Sequence, residues 1–249
     1  MKLIIPLLIL GIIIITVFAY RGSKTKVTTR QAGLASQKED LTLIVEPDSA
    51  VSFGYKCIWI AVKTNDKDRV AEILGVTNVM ACNWKNGIHK AYENKVFISP
   101  TVGDWTLAIG WGLVDFNPKS ELDETAGFKR KLDALSKEVG EAQLFATHRI
   151  TDYHSWAKSI NGKTVRYYSF IGERLENILN EGKPTPIESN LNLANTFSEE
   201  AKDEKYFERA DIIFPDEELV MQVAEAWSVN PTTLEGRKDI SAGLGLVSR

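Results

Sequence analysis

The sequence predicts an α+β fold with a mainly antiparallel sheet and packed helices, preceded by one N-terminal transmembrane helix. Three observations carry this expectation. Short apolar runs are joined by turn signals, Asn161-Gly162 the clearest, which favours hairpins over parallel crossovers. Amphipathic stretches with capping residues are mixed among those runs. The first twenty residues have a different character from everything after them.

Residues 3–19 form an apolar run broken only by Pro6, Gly11 and Thr16, none of them charged. As a helix this run spans roughly 25 Å, near the lower end of what crosses a bilayer. Residues 1–20 are therefore expected to be a membrane anchor, with residues 3–19 in the lipid and Tyr20 at the interface. The competing reading is a signal peptide cleaved near Ala19, after Val17-Phe18-Ala19. The run is long for a signal peptide, and a basic segment follows it: Arg21, Lys24, Lys26, Arg30 and Lys38, with no acid before Glu39. That bias favours a single-pass protein whose body faces the cytoplasm; cleavage would leave it secreted or extracytoplasmic. Residues 21–40 lack periodicity and read as a basic flexible tether, with Arg21, Lys24, Lys26 and Arg30 available to anionic headgroups.

Residues 41–249 are expected to form one α+β globular domain. Cys57 to Val62 reads as a strand buried on both faces. Asp66 caps a helix carrying Val70, Ala71, Ile73 and Leu74 and ending at Gly75. Trp84, Ile88, Ala91 and Tyr92 mark a second helix. Strands follow at Val96 to Ser99 and Trp105 to Leu113, the latter alternating bulky residues with Thr106, Ala108, Gly110 and Gly112. Its small face invites close approach, most simply by a packed helix. Phe128, Leu132, Leu135 and Val139 give a helix stopped by Gly140. Gln143 to Trp156 and Thr164 to Ile171 are expected to pair antiparallel through the Asn161-Gly162 turn. Pro184 to Ala210 reads as an irregular excursion, Asp216 to Trp227 as a capped helix, and Ser241 to Arg249 as a tail.

The formal charge of −3 comes from 30 basic and 33 acidic residues. Removing the six basic and two acidic residues of positions 1–40 leaves 24 against 31, or −7, so a nucleic-acid partner is excluded. From Glu173 to Glu225 fourteen acids face five basic residues. No glycine loop for phosphates, no G-x-S-x-G, no H-E-x-x-H and no calcium loop is present, and no cofactor is implied. Cys57 and Cys82 lack metal-ligand spacing; they would be reduced facing the cytoplasm and could pair if exported.

The candidate catalytic cluster is His148, Asp152 and His154, with Tyr167 and Tyr168 nearby. On one continuous strand the three share a face, but the histidines stand roughly 20 Å apart at ~3.3 Å per residue. The candidate binding residues are Trp111, Trp156 and Tyr168, aromatic anchors which with the acidic stretch suit a protein partner bearing a basic face. The expected function is a membrane-tethered protein-binding or accessory module, of inhibitor or immunity type. The alternative is a hydrolase built around His148, Asp152 and His154. Convergence of those three with Tyr167 or Cys57 in one pocket would separate the two.

Overall fold

The computed structural model describes residues 46–114 and 119–249. The transmembrane helix expected at residues 3–19 and the tether at 21–40 lie outside the described residues. Among the described residues no helix is long and apolar enough to cross a membrane.

The fold is mixed α+β. The strands are β1 (Ile58–Val62), β2 (Val79–Cys82), β3 (Phe97–Ile98), β4 (Thr106–Ile109), β5 (Glu141–His148), β6 (Tyr153–Ile160), β7 (Lys163–Ile171), β8 (Glu176–Gly182) and β9 (Gly245–Ser248). They join one antiparallel sheet in the order β2-β9-β3-β4-β1-β5-β6-β7-β8. The helices are α1 (Lys67–Ile73), α2 (Trp84–Tyr92), α3 (Glu121–Val139) and α4 (Glu217–Trp227).

Both sheet faces are covered, which is why β1 reads as an unbroken apolar run. Ile58, Ile60 and Val62 pack with Val70 and Ala71 of α1 and with Phe128, Leu132 and Leu135 of α3. Trp59 and Ala61 face the other way, into a core with Trp84 and Ile88 of α2, Val220 and Val223 of α4, and Phe145. Trp59 stands opposite Phe145 in the β1–β5 register, and the two rings stack at 5.2 Å. Such a pair adds about 0.5–1.5 kcal/mol beyond its burial. Each helix opens on a cap: Asp66, Asn83, Ser120 and Asp216 accept from the N–H of Arg69, Asn86, Asp123 and Leu219. Replacing one such cap by alanine typically costs ~1 kcal/mol. The turn Asn161-Gly162 has φ of 50° and 82°, the left-handed pair that a tight hairpin between β6 and β7 requires.

Several elements depart from the sequence expectation. The stretch from Gln143 to Trp156 is two strands: the chain reverses between His148 and Tyr153. This reversal lacks Gly and Pro, so it carries no turn dipeptide; Asp152 supplies the left-handed residue, at φ 50°. The strand expected from Trp105 to Leu113 stops at Ile109, and Trp111–Leu113 is a 3-10 turn. Gly110 takes φ 121°, and a Cβ there would sit 2.2 Å from the Lys95 carbonyl oxygen. The group approaching the small face at this point is thus the backbone at the end of α2. The C-terminal tail contains β9, a strand lying between β2 and β3. α3 also starts seven residues before Phe128, because Ser120 caps it and Glu121, Asp123 and Glu124 suit its first turn.

Candidate functional site

The reversal between β5 and β6 decides where the polar candidates go. In an antiparallel pair, residues directly opposite each other share a face. Thr147 is opposite His154 and His148 is opposite Tyr153, so the two histidines project from opposite faces of the sheet. They open into two different cavities.

On the α3 side, His148, Thr151, Tyr153 and Trp111 line a cavity of about 230 Å³ whose inner wall includes the buried Ile171. The His148 ring meets Trp111 edge to face at 5.3 Å, and its Nδ1 is 3.1 Å from the Thr151 hydroxyl. Trp111 Nε1 donates to the Lys56 carbonyl at 3.3 Å, which fixes the indole. Partial burial, then the charge of Lys56, push His148 below its ordinary value, so the ring is neutral at neutral pH. Glu121 and Glu124 reach the cavity from the first turn of α3, and Glu173 and Arg174 from the 3-10 turn Gly172–Arg174 after β7. Arg174 donates to Glu121 at 2.5 Å. Leu122, Ile150 and Leu175 follow or precede lining residues in the chain and are 58%, 71% and 43% exposed. Gly172 lets the two turns meet: its N–H donates to the Asp152 carbonyl at 2.8 Å, and a Cβ there would collide with the Asp152 carboxylate.

On the α4 side, His154 is buried and its Nε2 is 2.9 Å from Asp152. Arg149 Nε contacts both oxygens of Glu217 at 2.9 and 2.8 Å, with its guanidinium over the Tyr55 ring at 5.2 Å. Thr147 donates to Glu217 at 3.3 Å. Asp216 and Glu218 complete a cavity of about 580 Å³. Among the described residues His154 Nδ1 has no hydrogen-bond partner, so no hydroxyl or thiol is poised on it as a nucleophile.

The three catalytic candidates do not converge with Tyr167 or Cys57. Tyr167 is fully buried on the α3 side. Burial pushes the Cys57 thiol up to about 12, and desolvation with the charge of Asp48 pushes Cys82 up to about 11, so both stay protonated; both are unpaired. No group of three or more His, Cys, Asp or Glu among the described residues could hold a metal ion.

Of the aromatic candidates, Trp111 is the one with exposed surface at a cavity, while Tyr168, fully buried, backs another cavity of about 230 Å³ beside Arg166 and Glu188. Trp156 and Tyr168 are fully buried and stacked at 4.6 Å, beneath the segment that follows β8. Trp156 donates to Glu188 at 2.9 Å and Tyr168 to the Ala194 carbonyl at 2.8 Å. They are core residues with their polar ends satisfied. Sequence reasoning missed Tyr153, Glu121, Glu124 and Arg174. The acidic start of α3 was the only local signal for them, because the cavity is assembled from segments that lie as far apart in the chain as Trp111 and Arg174.

No family model matches the chain, and neither a curated protein nor a solved structure matches it.

Proposed function

We propose that this chain is a membrane-tethered binding module that engages a partner protein through the sheet end carrying the Trp111 cavity. The observation that supports this most is a concave, aromatic-walled cavity, with the exposed Leu122, Ile150 and Leu175 each next in the chain to a residue that lines it. Apolar side chains around an aromatic anchor are the usual anatomy of an interaction hot spot. In this reading residues 3–19 lie in the bilayer, Arg21, Lys24, Lys26 and Arg30 rest on anionic headgroups, and the body faces the cytoplasm. Such a module acts by occupancy rather than turnover, as an inhibitor or immunity protein does. The hydrolase alternative has no comparable support, since His148 opens into one cavity and the Asp152–His154 pair into the other.

The test is affinity capture with the detergent-solubilised full-length chain, its partner identified, against a chain carrying Ile150→Glu and Leu175→Glu. The expected result is loss of that partner. A control, Phe197→Glu, changes an equally exposed apolar residue on the segment after β8 and should retain it. Retention by the doubly substituted chain, or equal loss in the control, would remove the reading.

A further inference from the structure

We propose that residues 42–45 of this chain add a further strand to the open edge of β2, parallel to it. The sheet ends in two outer strands, β2 and β8, and they are built differently. β8 carries Glu176 and Glu181, and Thr196 covers it: the Asn177 N–H donates to the Thr196 hydroxyl, and the Thr196 N–H to Asn177 Oδ1. Charge and a covering segment are two ways in which a sheet keeps other strands from its edge. β2, Val79-Met80-Ala81-Cys82, carries neither a charge nor a proline.

Register shows which of its groups are open. The Arg249 N–H donates to the Asn78 carbonyl, so the bonded rungs between β2 and β9 fall at every second residue, Met80 with Val247 and Cys82 with Gly245. Val79 and Ala81 turn their N–H and C=O groups away from β9, and among the described residues neither N–H has an acceptor. Ala81 is exposed accordingly. Two amides and two carbonyls repeated at this spacing are the complement of one more strand.

The course of the chain names that strand. Cys82 stands opposite Gly245, and Asp48 stands opposite Gly243, antiparallel to the same C-terminal stretch. Continued register would bring Trp84 to that place. Instead α2 begins, and the Asp48 carboxylate accepts from the Trp84 and Lys85 N–H groups at 2.6 and 3.0 Å. Asp48 therefore continues the line of β2 and runs in its direction. Traced backwards through Pro47 and a bend at Glu46, the chain comes to the Cys82 end of β2, whose own line is filled. The path left to the preceding residues is the edge beside it.

Thr42-Leu43-Ile44-Val45 suits that path. The run is uncharged, three of its four residues are β-branched, and Asp40 and Glu46-Pro47 bound it. At ~3.3 Å per residue it matches β2 in length. A second copy of the chain could offer its own neutral β2, but it would arrive from solution, whereas Asp48 holds residues 42–45 at an effective concentration of roughly millimolar or more.

Amide hydrogen exchange on the detergent-solubilised full-length chain tests this. The amides of Val79, Ala81 and residues 42–45 should exchange at least about ten-fold more slowly than unstructured ones. Leu43→Pro with Ile44→Pro should remove that protection at Val79 and Ala81 and leave Met80 and Cys82, bonded to β9, within about two-fold of the wild-type chain. Ala81→Pro removes an outward N–H and no bond to β9, so it is tolerated on an empty edge but should release residues 42–45 on a filled one. Free exchange of Val79 and Ala81 in the wild-type chain overturns the proposal, as does protection there that survives Leu43→Pro with Ile44→Pro. Residues 42–45 staying protected in the Ala81→Pro chain overturn it as well. Protection of Val79 and Ala81 that fades on dilution gives the edge to a second copy instead.

Discussion

Arg166 and Glu188 show at the scale of single residues how the segment after β8 is held on the sheet. Arg166 is 2% exposed and Glu188 1%, with Nη2 of the arginine 2.6 Å from the carboxylate. Two charges removed from water need every hydrogen bond satisfied, and here they have them. Arg166 also donates to Asn180 and to the Glu181 carbonyl, while Glu188 accepts from Trp156, from the Thr185 N–H and from the Thr185 hydroxyl. Burial raises the Glu188 carboxyl, but hydrogen bonds from Arg166 and Thr185 outweigh it and hold it below the ordinary 4.5. Arg166→Met should therefore cost about 3–5 kcal/mol in urea unfolding at pH 7, because it strands a buried carboxylate. The sign with pH follows from the lowered value: the pair's contribution is present above 4.5 and lost as pH falls through the folded value. The gap between variant and wild type should thus narrow on acidification through that window. A gap constant from pH 7 to pH 3 would show that the lost energy is packing of the arginine stem rather than the ion pair.

At the scale of elements, legibility in the sequence tracks how local the cause is. The β1 strand, α1, α2 and α4 were readable because each carries its signal locally: an apolar run in β1, an apolar stripe in α2, and in α1 and α4 a stripe with the caps Asp66 and Asp216 just before it. The β5–β6 reversal was not, because its four residues Arg149 to Asp152 carry no Gly or Pro and its left-handed residue is an aspartate. That one omission placed His148 and His154 on the same face. The β2 and β9 strands were missed for a different reason: four residues each, they become strands only by pairing with one another, and β9 with β3. β9 joins β2 to the rest of the sheet, and its Leu246 and Val247 are buried. Each buried side chain of that kind contributes ~1.5–3 kcal/mol. Deleting residues 244–249 should therefore lower stability by at least ~3 kcal/mol and unprotect the β2 amides in hydrogen exchange. Protection at Met80 and Cys82 unchanged by the deletion would show that β2 is held by something other than β9.

The whole molecule divides by charge and by thiol chemistry, and the division makes its topology testable. Residues 1–40 carry six basic and two acidic residues, while the remainder stands at −7. On the proposed reading, a basic flank after an apolar span would keep the body in the cytoplasm. A single cysteine introduced as Ser36→Cys, on the body side of the span, reports this cleanly for a structural reason. The two native cysteines are buried, and their thiols stay protonated near about 12 for Cys57 and about 11 for Cys82. Only the thiolate reacts with a maleimide at appreciable rate, so the folded body contributes almost no background. In intact cells a membrane-impermeant maleimide should leave the Ser36→Cys chain unlabelled, and permeabilisation should expose it. The wild-type chain should stay dark in both conditions until denatured. Labelling in intact cells would place the body outside, and loss of the first nineteen residues from the recovered chain would turn the anchor into a cleaved signal. Either outcome would move the Trp111 cavity to partners on the other side of the membrane while leaving its chemistry unchanged.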